Sequence, residues 1–385
     1  MRPSAKESGV FGMPTKAANS PSSTRSARLA GLGSDPTVTM LGGLIILAVI
    51  FFSVLSPTRF LTGETLRAMA LQMPELGILA LAMMIPLMSG GLNLAIIATA
   101  NLSALVMAAM LTKMIGPHAE PLAAAGAIAL ALAAGFTTAL VIGFLTGAIV
   151  AFLGVHPILV TLGTMTALKG AAVYATNGGV IGGFPPAILF LGNGTLFGVP
   201  VSMILFALCA VLVGALMSQT PFGVSVRMIG SNEKATRFSG IATGWMLVGV
   251  YIVSSLLCWV AAMVMMARFN SARAGYAESY LLITILAAVL GGIDPNGGFG
   301  KVLGLSLSLV LLQIISTGFN LLGFSPHLTE AIWGVTMILA IAIGVVRDHL
   351  MAHLWLRRTT GPDANLLPRA DTQRPNSSHR RVSTS

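Results

Sequence analysis

Between Met40 and Val346 the sequence passes through one charge-poor apolar stretch after another, each near the length of a bilayer-crossing helix and separated by short polar turns. In lipid such segments satisfy their backbone hydrogen bonds only as helices or as a closed barrel, and continuous rather than alternating hydrophobicity selects the helix. Division at turn-forming clusters predicts about ten spans, near 40–55, 67–88, 93–114, 121–153, 157–176, 199–218, 244–267, 279–291, 302–322 and 327–346. The expected fold class is therefore all-α, a polytopic transmembrane bundle of about ten helices. Composition excludes an ordinary soluble domain, because only 9% of residues are charged and mean hydropathy is +0.87.

Residues 1–37 and 347–385, rich in Ser, Pro and basic residues, are expected to be solvated, poorly ordered cytosolic tails flanking a membrane domain over 38–346. The first apolar run follows a long polar leader and lacks a small-residue cleavage pattern, which predicts a retained helix. Charge asymmetry orients the chain. Of the 22 Lys and Arg residues, sixteen fall in the tails or at Arg227, Lys234, Arg237 and Lys301 in loops that the span count places inside. Both termini are then cytosolic. The formal charge of +10 does not indicate nucleic acid, since the basic residues are divided among tails and loops rather than gathered with interleaved aromatics. Cys209 and Cys258 lie in apolar runs and read as packing residues.

Self-powered transport lacks visible parts. No complementary set of intramembrane acids and bases forms a proton relay, and no Arg run suggests voltage sensing. GGFGKV at Gly297 to Val302 misses the phosphate-loop pattern, lacking the first Gly and having Val302 where Ser or Thr binds magnesium. The histidines are scattered; His349 and His353 share a helix face, but no HExxH motif or third ligand accompanies them, and no metal or cofactor is expected on this chain. Glu75 is an exception inside the second apolar run. It directly follows Pro74, and Pro then Glu suits the first turn of a helix, so the span is expected to begin there near the outer surface.

The longest polar stretch between spans, Pro221 to Ile241, mixes Arg227, Glu233, Lys234 and Arg237 with Val226, Met228, Ile229 and Phe238. A short amphipathic helix about Asn232 to Phe238 is expected, lying on a partner or on lipid. SGGLNL, Ser89 to Leu94, joins two apolar runs with almost no polar loop, and so is a tight turn or an interruption at membrane depth. Asn93 and Asn101 there either offer neutral hydrogen bonds to a solute or bond neighbouring helices, and Thr161 and Thr164 pose the same choice. GGIDPNGGFGK, from Gly291, should form a compact turn beside the Pro221–Ile241 loop.

These segments carry a resemblance. The loop with Gly230, Asn232, Glu233, Ala235, Ser239, Gly240 and Ile241 resembles the cytosolic coupling segment of ribose-type sugar permeases of bacterial ABC importers. SGGLNL is similar to that family's GGIDLS motif, HPILVTLGTMTALKG at His156 to Gly170 to its PxFIVTLGTM segment, and AAVLGGIDPNGGFGKVLG at Ala287 to Gly304 to its AxVLGGxSxxGGxGxxxG loop. The four occur in the family's order over roughly residues 40–346. The resemblance implies a permease subunit in the bacterial inner membrane that moves a small carbohydrate or polyol. Its implied partners are cytosolic ATPase subunits, which use ATP and Mg, an extracytoplasmic solute-binding protein, and a second permease copy or related paralogue. It further implies ATPase coupling through Arg227, Gly230, Asn232, Glu233, Lys234, Ala235, Ser239 and Gly240. On the physical grounds above, Asn93, Asn101, Thr161 and Thr164 are the candidate pathway residues, and the inner glycine-rich loop comprises Gly291, Gly292, Asp294, Gly297, Gly298 and Gly300. Asn93 stands where the family usually has Asp, Ala95 where Ser is usual, Val224 where Arg is common and Arg227 where an aromatic is frequent. The alternatives are a secondary transporter, a non-transporting scaffold, or an importer permease for a furanosyl signalling molecule or a branched-chain amino acid.

Overall fold

The computed structural model describes residues 36–114, 121–325 and 327–338. Both expected tails, the end of the tenth expected span and the His349–His353 pair lie outside them. Helices dominate: α1 (Pro36–Leu55), α2 (Gly63–Met88), α3 (Ile96–Met114), α4 (Pro121–Leu153), α5 (Pro157–Thr176), α6 (Pro186–Asn193), α7 (Val201–Gln219), α8 (Pro221–Phe238), α9 (Thr243–Phe269), α10 (Tyr280–Leu290), α11 (Val302–Leu321) and α12 over 327–338. Eight of these are long and apolar enough to cross a bilayer. The polytopic helical bundle expected from hydropathy is therefore the fold. Two antiparallel pairs of two-residue strands interrupt it, β1 (Ile181–Gly182) with β4 (Ser271–Ala272) and β2 (Thr195–Leu196) with β3 (Val199–Pro200). One compact unit runs to Trp333; a second begins at Gly334, and its described residues, 334–338, are the end of α12.

Helices α2 and α9 form the centre. Every residue of α2 from Met73 to Met88 is buried, and α9 packs against α2, α3 and α4. Close approach of α4 to α9 depends on two glycines one turn apart: a Cβ at Gly143 would lie 2.8 Å from the Tyr251 carbonyl oxygen, and one at Gly147 2.9 Å from the Val248 Cα. Between membrane helices, where burial against a partner gains little over burial in lipid, such backbone proximity is a main source of affinity. Helix α1 is peripheral and rests on α11 through Phe52, whose ring meets Phe60 and Phe319. Much of α5 is uncovered, and side chains at Gly163 or Gly170 would meet open space.

Three elements differ from expectation. Helix α2 starts at Gly63 rather than at Pro74, because Thr62 accepts a hydrogen bond from the Thr65 N–H and Glu64 occupies the first turn. Pro74 and Glu75 are thus interior, and the reading of Glu75 as a first-turn residue is overturned. Residues 221–231, expected as loop, are helical: Pro221 is in the first turn, and the Thr220 hydroxyl accepts from the Gly223 N–H. Finally, the expected span at 279–291 is an 11-residue helix, α10, only about 16 Å long and too short to cross a ~30 Å hydrocarbon core unaided. Irregular backbone at both of its ends must then be sheltered by protein.

Candidate coupling and transport site

Four segments that resemble family motifs, scattered over more than two hundred residues, meet at one end of the bundle. The C-terminus of α2 is their hub. The Met88 carbonyl accepts a hydrogen bond from the Gly298 N–H at 2.9 Å, joining the SGGLNL turn to the glycine-rich loop. Gly230 of α8 sits directly against that bond: a Cβ there would collide with the Met88 oxygen and the Gly298 nitrogen. Gly297 closes the junction, with φ at +95°; a Cβ there would lie 2.7 Å from Gly90 N and 2.8 Å from Gly230 Cα. On the other side of the turn, the Thr161 hydroxyl donates to Leu92 O at 3.1 Å and Pro157 packs on Gly91. The glycines of these motifs permit backbone-to-backbone contact that no side chain would allow.

The glycine-rich loop is a compact reversal. Asp294 Oδ1 accepts from Asn296 N at 2.9 Å and Asn296 Nδ2 at 3.2 Å, while the Gly297 N–H donates to Asp294 O. Gly291 packs against Gly304 of α11, and Gly300 against Ile293. Arg227 donates from Nη2 to Met217 O at 2.8 Å, tying α8 to the end of α7.

Helix α8 breaks at Asn232, where φ −165° and ψ 98° leave the helical region. Its side chain then caps a new segment, accepting from the Ala235 N–H at 3.0 Å. The short helix expected at Asn232 to Phe238 is therefore a separate rod. The first part of α8 is anchored by buried Val226 and Ile229, whereas in the second part only Thr236 is buried. Glu233, Lys234, Ala235, Arg237, Ser239 and Gly240 are exposed, and Phe238 is 92% accessible. This rod is presented rather than packed.

The polar residues assigned to a pathway are placed differently from one another. Asn93 is buried; it accepts from the Ala95 N–H at the start of α3 and donates from Nδ2 to Ser254 Oγ at 3.0 Å, and Ser254 donates in turn to Ala82 O. Asn101 is buried too, donating to Ala274 O at 3.0 Å and Tyr276 O at 2.9 Å and so holding the segment between α9 and α10 onto α3. Thr164 is half-buried and bonds its own helix at Val160 O. Asn101→Leu is expected to leave two buried carbonyls unpaired, lowering thermal stability by about 1–3 kcal/mol. Faster amide exchange confined to residues 270–279 would confirm the assignment, and unchanged exchange would refute it.

Sequence reasoning missed a polar cluster at the opposite end of the bundle. Arg268 Nη1 lies 2.5 Å from Glu75 Oε1, and the Tyr280 hydroxyl donates to the same oxygen at 2.7 Å. The pairing residues lie far off in the chain, so no local signal marks them. Nearby, Asn193 Nδ2 donates to Ala267 O, the Phe184 N–H donates to Asn270 Oδ1, and Lys169 pairs with Glu278 at 2.8 Å.

A bundle of hydrophobic helices gathered on a backbone junction, with one exposed charged rod projecting from it, defines a polytopic helical membrane protein. Residues 65–341 match the family model described as the branched-chain amino acid transport system permease component, and the chain belongs to that family. It is a permease subunit of an ABC importer, multi-pass in the membrane. Among curated relatives, the autoinducer 2 import system permease protein LsrD of Photorhabdus laumondii is 29% identical over 325 residues, covering 83% of this chain and 94% of the relative. LsrD of Yersinia pseudotuberculosis serotype IB is 28% identical over 333 residues, covering 85% and 96%. No solved structure matches.

Proposed function

We propose that the chain imports a small hydroxyl-rich solute of the carbohydrate class, driven by cytosolic ATPase subunits that dock on residues 221–241. The observation that carries this reading is the junction at Gly230, where the anchored first part of α8, continuous with the exposed rod beyond Asn232, meets the α2 terminus and the glycine-rich loop. A push on Phe238 and its neighbours passes through the break at Asn232 to the anchored part of α8 and from there to the central helix of the bundle. ATP and Mg belong to the partner. In this reading the rod faces the cytosol, as do both termini, by the distribution of Lys and Arg. A solute-binding protein delivers the cargo to the opposite face. The uncovered side of α5, which carries Thr166, Lys169 and Gly170, meets a second permease copy and lines the route with it.

Within the carbohydrate class, the names of the relatives support a furanosyl compound of the autoinducer 2 kind. The family description supports a second reading, a branched-chain amino acid. Uptake into proteoliposomes holding permease, ATPase and binding protein decides both points. Import is expected to require ATP hydrolysis and to saturate with a pentose, polyol or furanosyl solute. Uptake unchanged by a hydrolysis-deficient ATPase would overturn the coupling assignment, and selective uptake of leucine or isoleucine would overturn the solute class. Glu233→Lys, on the exposed rod, is expected to weaken ATPase co-purification by about tenfold through charge reversal alone. Normal co-purification would move the docking site elsewhere.

A further inference from the structure

We infer that Glu75, Arg268 and Tyr280 are positioning residues that tie the central helix α2 to a cover over the extracytoplasmic end of the bundle, so that movement at the Gly230 junction opens that cover. The inference rests on the orientation and docking proposed above. Two segments make the cover, 177–200 with α6 and 270–279 between α9 and α10. They are joined to each other by the β1–β4 pair and by the Phe184 N–H to Asn270 Oδ1 bond. Arg268 is one of the places where cover and bundle meet, beside the Asn101 bonds to Ala274 O and Tyr276 O and the Lys169–Glu278 pair. The Arg268 backbone is packed on by Gly192 and its carbonyl, with that of Ala267, accepts from Asn193, while its guanidinium reaches Glu75.

Helix α2 touches both ends. Its Met88 carbonyl holds Gly298 beside Gly230, and Glu75 lies thirteen residues earlier, about 20 Å along a helix that is buried throughout that stretch. A packed helix of this length moves as a rigid rod. Glu75 itself is fully buried, yet both of its contacts fall on Oε1, and Oε2 has no hydrogen-bond partner among the described residues. A purely architectural carboxylate in an apolar bundle is poorly served by that arrangement, since each unpartnered buried oxygen costs stability. A carboxylate that exchanges partners as α9 and α10 slide past α2 needs a second oxygen in reserve. The Gln72–Gln313–Thr317 hydrogen bonds, one turn further along α2, extend the same polar seam to α11.

The test uses the assembled complex of permease, ATPase and binding protein. Ile181 and Ala272 are directly opposed in the β1–β4 pair, so Ile181→Cys with Ala272→Cys places two thiols within disulfide range. Oxidation is expected to stop uptake and reduction to restore it, and the rate of cross-linking is expected to fall when ATP is turned over. In Tyr280→Phe and Glu75→Gln, ATPase co-purification is expected to stay native while uptake falls by about tenfold or more, with unchanged half-saturation for loaded binding protein. Cross-linking should then no longer respond to ATP. Tyr280→Phe removes one hydroxyl and serves if Glu75→Gln fails to assemble. Native uptake by the cross-linked complex, or ATP-responsive cross-linking with native uptake in Tyr280→Phe, would overturn the inference. Failure of the ATPase to bind the native chain would instead overturn the functional reading beneath it.

Discussion

Gly230→Ala is expected to abolish ATP-driven uptake while the chain still inserts and folds as a bundle. The substitution adds one carbon, and at most positions in a helix that is favourable. Here the carbon is directed at two backbone atoms, the Met88 oxygen and the Gly298 nitrogen, which are hydrogen-bonded to each other at 2.9 Å. Neither belongs to a flexible side chain that can swing aside. The α8 backbone must back away, or the bond between α2 and the glycine-rich loop must open, and either response disconnects the projecting rod from the central helix. Uptake in reconstituted vesicles should fall by about a hundredfold or more, as expected when an interaction needed only for the driven step is lost. Retained uptake near the native rate would show that the junction does not transmit force. Gly230→Trp should go further and prevent ATPase docking, because its Cβ makes the same collision and the indole enlarges it.

The largest loss of stability is expected from Gly143→Val. Its added Cβ would approach the Tyr251 carbonyl oxygen at 2.8 Å and the Ile252 Cα at 2.9 Å, and the branched side chain brings two more carbons. Overpacking of this kind costs about 3 kcal/mol, and α4 and α9 have no second surface on which to regain it. The purified chain should lose monodispersity and melt at a markedly lower temperature. Gly163→Val on α5 supplies the control: nothing lies within 4 Å of a Cβ there, so the isolated chain should melt as the native protein does. Equal melting of both variants would mean that α4 and α9 do not approach as closely as the structure has them.

Much of the architecture can be read from the residues because lipid leaves the chain few options. An apolar run of sufficient length becomes a helix, and the predicted boundaries at 40–55, 121–153, 157–176 and 302–322 fall within a few residues of α1, α4, α5 and α11. Reading failed where a local signal had two uses. Pro74 followed by Glu75 has the chemistry of a helix start, but Thr62, Gly63 and Glu64 supply a better one twelve residues earlier, and the carboxylate is stabilised by Arg268 and Tyr280, partners that no window of sequence can contain. Asn93 illustrates the converse. Its residue type announces a polar contact at membrane depth, but only the packed structure shows Ser254 as its partner. Several glycines of the resemblance segments, Gly90, Gly230, Gly291, Gly297 and Gly304, mark places where backbones touch.

The uncovered Phe238 has a consequence for the cell as well as for the transporter. On the docking proposed above, the ring, 92% exposed, is covered once the ATPase binds and open to other contacts until then. In that reading, a copy made in excess of its ATPase would keep this ring uncovered, and balanced synthesis of the subunits becomes a requirement set by one side chain.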